Sequence, residues 1–242
     1  MGEMDKVPPG VTLVSLPFVS KQGFTGATTQ SLILAILAGG LSMSKFLFLG
    51  DHSQVQARNV ACEDAITIGA DWVFFVDSDA DFPVDTLKRL KACDADIACA
   101  DMWSRNIPSF RTVMRMTGKD ENGMAMAVPV EGTPEGVEDI DLCGMHCTLI
   151  KTSLLKLIKE KYPDRPWFWV ANHGEDAMFC FTAKEVGATI KCDFSIMSGH
   201  WGVARMAGQD WSRDAKNQPM SIANMEMMKR MNVRNLKEEG VV

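Results

Sequence analysis

The stretch WVFFVDSDADFP, residues 72–83, runs through five apolar residues and then sets carboxylates at Asp77, Asp79 and Asp81. On an extended chain, side chains two residues apart point the same way, so Asp77 and Asp79 can share a hard cation or divide a cation and a ribose between them. Like charges this close repel, and a divalent ion removes the penalty. Acidic turns are common at strand ends, so the Asp77-Ser78-Asp79 D-x-D needs company. Upstream, Gln54, Arg58 and Asn59 open a helical pattern that leads into the acidic strand. An arginine there binds a diphosphate or pairs with a carboxylate. Downstream, Glu175 and Asp176 in NHGEDAMF stand at a helix start. Carboxylates in that position complement the helix dipole, or serve as a general base. His200, between glycines in SGHWG, is placed to reach a metal.

Other groups carry less. Cys143, His146 and Cys147 cluster in LCGMHC, but a zinc site needs a second ligand pair at a matching spacing, and the sequence offers none. The seven cysteines are odd in number and scattered, which fits a reducing cytoplasm better than a disulfide framework. A formal net charge of -6 argues against a protein that works by coating nucleic acid. Lys6 stands where a myristoylation signal needs Ser or Thr. The longest apolar run, SLILAILAGGL, is far shorter than the ~20 residues of a membrane span and reads as a core helix. With 46% hydrophobic and 23% charged residues in 242, the chain reads as one soluble α/β domain.

Strand and helix patterns alternate along it. VTLVSLPF is a strand stopped by Pro17, and the loop SKQGFTGATTQ supplies threonine caps for a helix beginning near Ser31 and ended by Gly39 and Gly40. KFLFLG is a second strand, Gln54 to Gly69 a helix, and WVFFV a strand buried on both faces. PVDTLKRLKAC is a helix with Pro83 in its first turn and Val84, Leu87 and Leu90 on one face, followed by the strand ADIACADMW. From Arg105 to Asp141 the pattern loosens into a hairpin across Lys119 to Gly123, or a flap over a substrate. CTLIKTSLLKLI is strand into helix, a helix covers Glu175 to Val186, a strand Thr189 to Asp193, and a helical tail follows from Ser212. This rhythm predicts crossover units and a mostly parallel sheet, which binds ligands beyond the carboxyl ends of its strands. The acidic cluster lies at such an end.

Taken in order, VTLVSLPF, QARNVACEDAITIGADWVFFVDSDADFP, LCGMHCTLIKTSLL and PWFWVANHGEDAMFCFTAKEVGATIKCDFSIMSGHWG resemble the GT-A fold glycosyltransferases, particularly the family 2-like members of phage and bacterial genomes. The resemblance covers roughly residues 11–202. It implies a single GT-A (Rossmann-like) α/β domain over 1–202, with a mostly parallel central sheet flanked by helices and a helical extension over 203–242. It implies a metal-dependent enzyme that moves a sugar from a nucleoside-diphosphate donor, a UDP-sugar such as UDP-glucose being favoured, to a hydroxyl acceptor with inversion. Asp77 would lie by the ribose and the metal, Asp79 would bind Mn2+ or Mg2+, and His200 would complete the metal site. Asp176, with Glu175 beside it, matches the carboxylate that takes the acceptor's proton. Arg58 would approach the base or diphosphate, together with Pro17, Gln54 and Ser78.

Trp167 and Phe168 would form an apolar wall for sugar or acceptor, or, as two aromatics beside a proline, pack as plain core. Met145-His146 replaces a pair of small residues often seen in the family, so His146 is expected to alter acceptor contacts. One acceptor is a hydroxymethylated base of phage DNA in the host cytoplasm; Arg205, Arg213, Lys216, Lys229, Arg230, Arg234 and Lys237 would contact its phosphates or, alternating with acids, form a solvated helix surface, and a polysaccharide or a protein is the alternative acceptor. Two rivals keep the acidic cluster but change its use: a sugar nucleotidyltransferase, and a non-catalytic sugar-nucleotide binding module. No membrane contact is expected.

Overall fold

The computed structural model describes residues 9–18, 23–38, 40–41, 44–50, 52–104, 109–119, 121, 125–201 and the backbone of 205–206. The chain begins with β1 (Thr12–Phe18), α1 (Gly26–Leu37), β2 (Ser44–Gly50), α2 (Gln54–Ile68), β3 (Trp72–Val76), β4 (Ala80–Asp81), α3 (Thr86–Ala92) and β5 (Ile97–Asp101). It continues with β6 (Met114–Lys119), β7 (Ala125–Pro129), β8 (Val137–Asp139), β9 (Cys147–Lys151), α4 (Thr152–Lys161), α5 (Glu175–Glu185), β10 (Ile190–Met197), β11 (Gly199–Trp201) and β12 (Arg205–Met206).

Seven strands form the central sheet in the order β2-β1-β3-β9-β5-β10-β8. β1, β2, β3, β5 and β10 share one direction, while β9 and β8 run against it. This is the α/β architecture read from the sequence, a mostly parallel sheet flanked by helices. Strands buried on both faces must be apolar throughout, and Val73, Phe74, Phe75 and Val76 of β3 and Ile97 to Ala100 of β5 are all buried. All seven cysteines are buried and unpaired.

α2 shows how local signals place the site. Ser53 and Gln56 form a capping box at its start, and Gly69 ends it in the left-handed region at φ 74°. Ala57, Ala61 and Ala65 are buried and let the helix lie close on β1 and β3. That carries Arg58 under the carboxyl ends of both strands.

Several expectations need correction. β1 continues through Pro17 to Phe18, because pairing with β3 ends at Ser15 and only the β2 side runs on. α1 starts at Gly26 and is capped at Ala38, and it is not a core helix: Thr28, Ser31, Leu32 and Ala35 are buried, whereas Ile33, Leu34, Ile36 and Leu37 are exposed. α3 begins at Thr86, beyond Pro83, so Val84 is exposed and only Leu87 and Leu90 reach the core. The predicted hairpin exists as β6 paired antiparallel with β7. Arg205 and Met206, placed by sequence in a helical extension, form a strand on β11; the rest of that extension and its basic residues lie outside the described residues. Among the described residues, no helix is long and apolar enough to cross a membrane.

Candidate active site

The D-x-D does not stay extended. Ala80 N–H donates to Asp77 O (3.1 Å), turning the chain through Ser78 and Asp79. Thr25 N–H and Thr28 Oγ1 both donate to Ser78 O at 2.9 Å, which fastens the turn to the start of α1. The two carboxylates therefore meet different partners: Asp77 Oδ1 lies 3.5 Å from Arg58 Nη2, and Asp79 Oδ2 lies 3.4 Å from His200 Nε2.

His200 arrives through a small three-stranded sheet, in which β11 pairs antiparallel with β4 and sets His200 beside Ala80. The third carboxylate of the acidic run secures this pairing. Asp81 accepts hydrogen bonds from Gly199 N–H (2.7 Å) and Trp201 Nε1–H (2.8 Å), and Trp201 N–H donates to Asp79 O (2.8 Å). His200 Nδ1 lies 3.3 Å from Trp103 O. A carbonyl only accepts, so Nδ1 carries the proton and Nε2 faces Asp79. His146 stacks on the His200 ring, and burial together with His200 pushes its pKa down to about 3, so it is neutral.

Arg58 is the hub of the opposite wall. It is 1% exposed; its Nη1 donates to Glu175 Oε1 (2.8 Å) and to Asp176 Oδ1, while Nη2 faces Asp77. Sequence had offered a diphosphate or a carboxylate as its partner, and the carboxylates hold it. Burial works against its charge, but Asp176, Asp77 and Glu175 outweigh that and leave its pKa raised. Its Nε finds no partner among the described residues. Burial also raises the Asp77 pKa against the pull of Arg58.

Glu175 and Asp176 open α5 behind the Gly174 cap. Burial, with Glu175 and Asp77 adding and Arg58 opposing, lifts the Asp176 pKa to about 7. Its side chain is still 32% exposed at the mouth of the cleft. A carboxylate tuned near neutrality and open to a ligand has the properties of a general base.

One cleft of about 540 Å3 contains every candidate: Pro17, Gln54, Arg58, Asp77, Ser78, Asp79, Glu175, Asp176 and His200 all line it. Phe18, His52, Ser53, Thr112, Gly144 and Met145 also line it and were not expected. Phe18 and Ser53 had a signal, since they end β1 and begin α2 at the carboxyl edge of the sheet. Thr112 lies in the loosened 105–141 segment and had none. His146 lines the cleft too, but its ring is engaged with His200 and Ser198 and is not an open acceptor contact.

One more expectation gives way. Trp167 and Phe168 are core residues: Trp167 Nε1–H donates to Leu155 O (2.9 Å), and Phe168 stacks on Phe179 at 4.5 Å. Asn59 ties that aromatic segment to α2, donating to Phe168 O (2.8 Å) and accepting from Phe168 N–H (3.1 Å). Among the described residues, no group of three or more His, Cys, Asp or Glu side chains is gathered to hold a metal. That holds for Cys143, His146 and Cys147; Asp77, Asp79 and His200 are expected to hold an ion only together with the donor diphosphate.

The fold and cleft define an α/β domain with an acidic site at the carboxyl edge of a mostly parallel sheet. No protein-family model matches the chain, and no curated protein matches it. Among solved structures it is similar to "Crystal Structure of A197 from STIV", with a TM-score of 0.55 and 19% identity over 81% of this chain and 88% of that one. It is also similar to "Crystal structure of GalNAc-T7 with UDP, GalNAc and Mn2+" (TM-score 0.49, 11% identity, 82% of this chain, 44% of that one). A third is "Crystal structure of S. aureus TarS" (TM-score 0.44, 17% identity, 76% of this chain, 35% of that one). The chain thus spans less than half the length of these last two. At 19% identity the likeness to the first is one of fold.

Proposed function

We propose that the protein is a metal-dependent glycosyltransferase that moves a sugar from a nucleoside-diphosphate donor, a UDP-sugar being favoured, to a hydroxyl acceptor with inversion. One observation carries this reading: a single cleft holds the Asp79–His200 pair on one side and Asp176, with its pKa near 7, on the other. In the proposed step the acceptor oxygen forms a bond to the anomeric carbon and the bond from that carbon to the diphosphate oxygen breaks. The acceptor proton passes to the Asp176 carboxylate, and the nucleoside diphosphate leaves.

The donor set fits a divalent cation, Mn2+ or Mg2+. His200 Nδ1 donates to Trp103 O, which leaves Nε2 to meet Asp79 Oδ2 at 3.4 Å, where the pair can share a proton or, with Nε2 bare, flank a cation. Ions of this kind take one or two side chains and complete their shell with substrate phosphates, so a full protein cage is not required. When bound, the ion supplies Lewis-acid stabilisation of the departing diphosphate. Asp79 and His200 would hold it. Asp77, already facing Arg58, is better placed for the ribose than for the ion.

An acceptor with uncharged hydroxyls, such as a saccharide or a protein side chain, suits the cleft better than DNA. Asp77, Asp79, Glu175 and Asp176 line it, and Arg58 and one cation, which would serve the donor diphosphate, are the positive charge proposed to offset them; a DNA backbone needs further basic groups. The basic residues proposed to grip DNA lie outside the described residues. The test is to incubate the protein with Mn2+ and a panel of UDP- and GDP-sugars and to read nucleoside diphosphate release, then repeat with Asp79→Ala. Release from one donor, lost in Asp79→Ala, is expected. Pyrophosphate release would point to nucleotidyl transfer, and binding without turnover to a non-catalytic module. No binding or turnover of any donor, with Asp79→Ala altering only stability, would refute the reading.

A further inference from the structure

His146 touches three of the segments that assemble the Asp79–His200 pair. Its backbone oxygen accepts the Asp77 N–H (3.1 Å), which anchors the start of the D-x-D turn. Its ring, in a residue only 5% exposed, stacks on that of His200 with centroids 4.9 Å apart and 27° between planes. Its Nε2 lies 2.9 Å from Ser198 Oγ, and that hydroxyl donates its one proton to Asp81 O (2.9 Å). Ser198 can therefore only accept from His146, which places the imidazole proton on Nε2 and fixes the ring in its plane. The chain from Asp81 through Ser198 to His146 thus ends on the face of His200.

His200 needs that support. Its Nδ1 bond to Trp103 O, at 3.3 Å, holds one edge of the ring. Of its chain neighbours, Gly199 has no side chain and the Trp201 indole is committed to Asp81. Building on the function proposed above, we propose that His146 is a positioning residue for His200: the stacked ring sets the angle at which His200 Nε2 meets Asp79 and the cation. It touches neither donor nor acceptor in this role.

The test reads metal binding rather than turnover. Mn2+ affinity is measured in the presence of UDP from the electron paramagnetic resonance signal of free Mn2+, for wild type, His146→Ala, His200→Ala and the double variant. Removing a residue that orients a metal ligand typically weakens binding about 10–100-fold, and His146→Ala is expected in that range. His146→Phe keeps a flat ring and loses only the Ser198 bond, so its loss should be smaller. In the His200→Ala background, His146→Ala should add nothing, since the effect runs through His200. Should His146→Ala not fold, His146→Phe and Ser198→Ala carry the test, each expected to weaken Mn2+ binding only while His200 is present. Unchanged affinity in the His146 variants, or losses that add in the double variant, would overturn the proposal and leave the glycosyltransferase reading intact. A wild type that binds no Mn2+ with UDP would remove both.

Discussion

Replacing Arg58 with methionine should expose the electrostatic balance of the site most directly. Arg58 is 1% exposed and is the cation shared by Asp77, Glu175 and Asp176. Methionine matches its apolar stem but leaves three carboxylates facing one another. Breaking a buried pair by removing one partner costs about 3–5 kcal/mol; because Asp176 is 32% exposed and reached by water, the lower end, about 3 kcal/mol near pH 8, is expected. The loss should also depend on pH. Burial already raises the Asp77 and Asp176 pKa values, Asp176 to about 7, and Arg58 opposes that rise in both. Without Arg58 both rise further. Groups whose folded pKa lies above the unfolded value favour folding while protonated, and that contribution is lost as pH rises through the folded pKa. Above about pH 7 the variant holds at least one more proton than the wild type, so its deficit should grow by about 1.4 kcal/mol per pH unit per proton. Urea unfolding at about pH 6 and about pH 8, with unchanged slopes, measures this. A deficit under about 1 kcal/mol, or one that is the same at both pH values, would refute Arg58 as the neutralising hub.

With Asp176 as base and its pKa near 7, kcat/KM should fall about tenfold per unit below that pH, and Glu175→Gln should move this limb to lower pH by removing a charge that raises Asp176. A flat profile from about pH 5.5 to about 8 would remove Asp176 from that role. Gly40→Ala probes the packing beneath α1: a Cβ at Gly40 would sit 2.1 Å from Val84 O and 3.3 Å from Ala35 O. Backbone cannot yield as a flexible side chain does, so a cost of about 1–3 kcal/mol is expected, seen as a lowered Tm. A Tm equal to that of the wild type would show that this junction relaxes freely.

The parts of the protein legible in its sequence are those set by local patterns. Five apolar residues ending in acids mark β3 and its carboxyl edge, and Ser53, Gln56 and Gly69 bound α2. A mostly parallel sheet gathers such strand ends on one side, which is why Pro17, Gln54, Asp77, Asp79 and Asp176, far apart in sequence, share one cleft. Hydrophobic periodicity was least informative where tertiary layering decides exposure. α1 is apolar on faces that nothing among the described residues covers, whereas Trp167 and Phe168 beside a proline read like a binding wall and are core.

Sequence alone determined the element types, the acidic strand end and the residue types able to carry glycosyl transfer, because these depend on a few neighbours along the chain. Tertiary structure alone decided who pairs with whom. Arg58 finds Glu175 across 117 residues, and Asp81 fastens Gly199 across 118. β9, running antiparallel between β3 and β5, brings His146 beside Asp77. A charge is neutralised by whatever the sheet order places within a few ångströms of it, and sheet order is a property of the whole chain's packing that no local spacing contains.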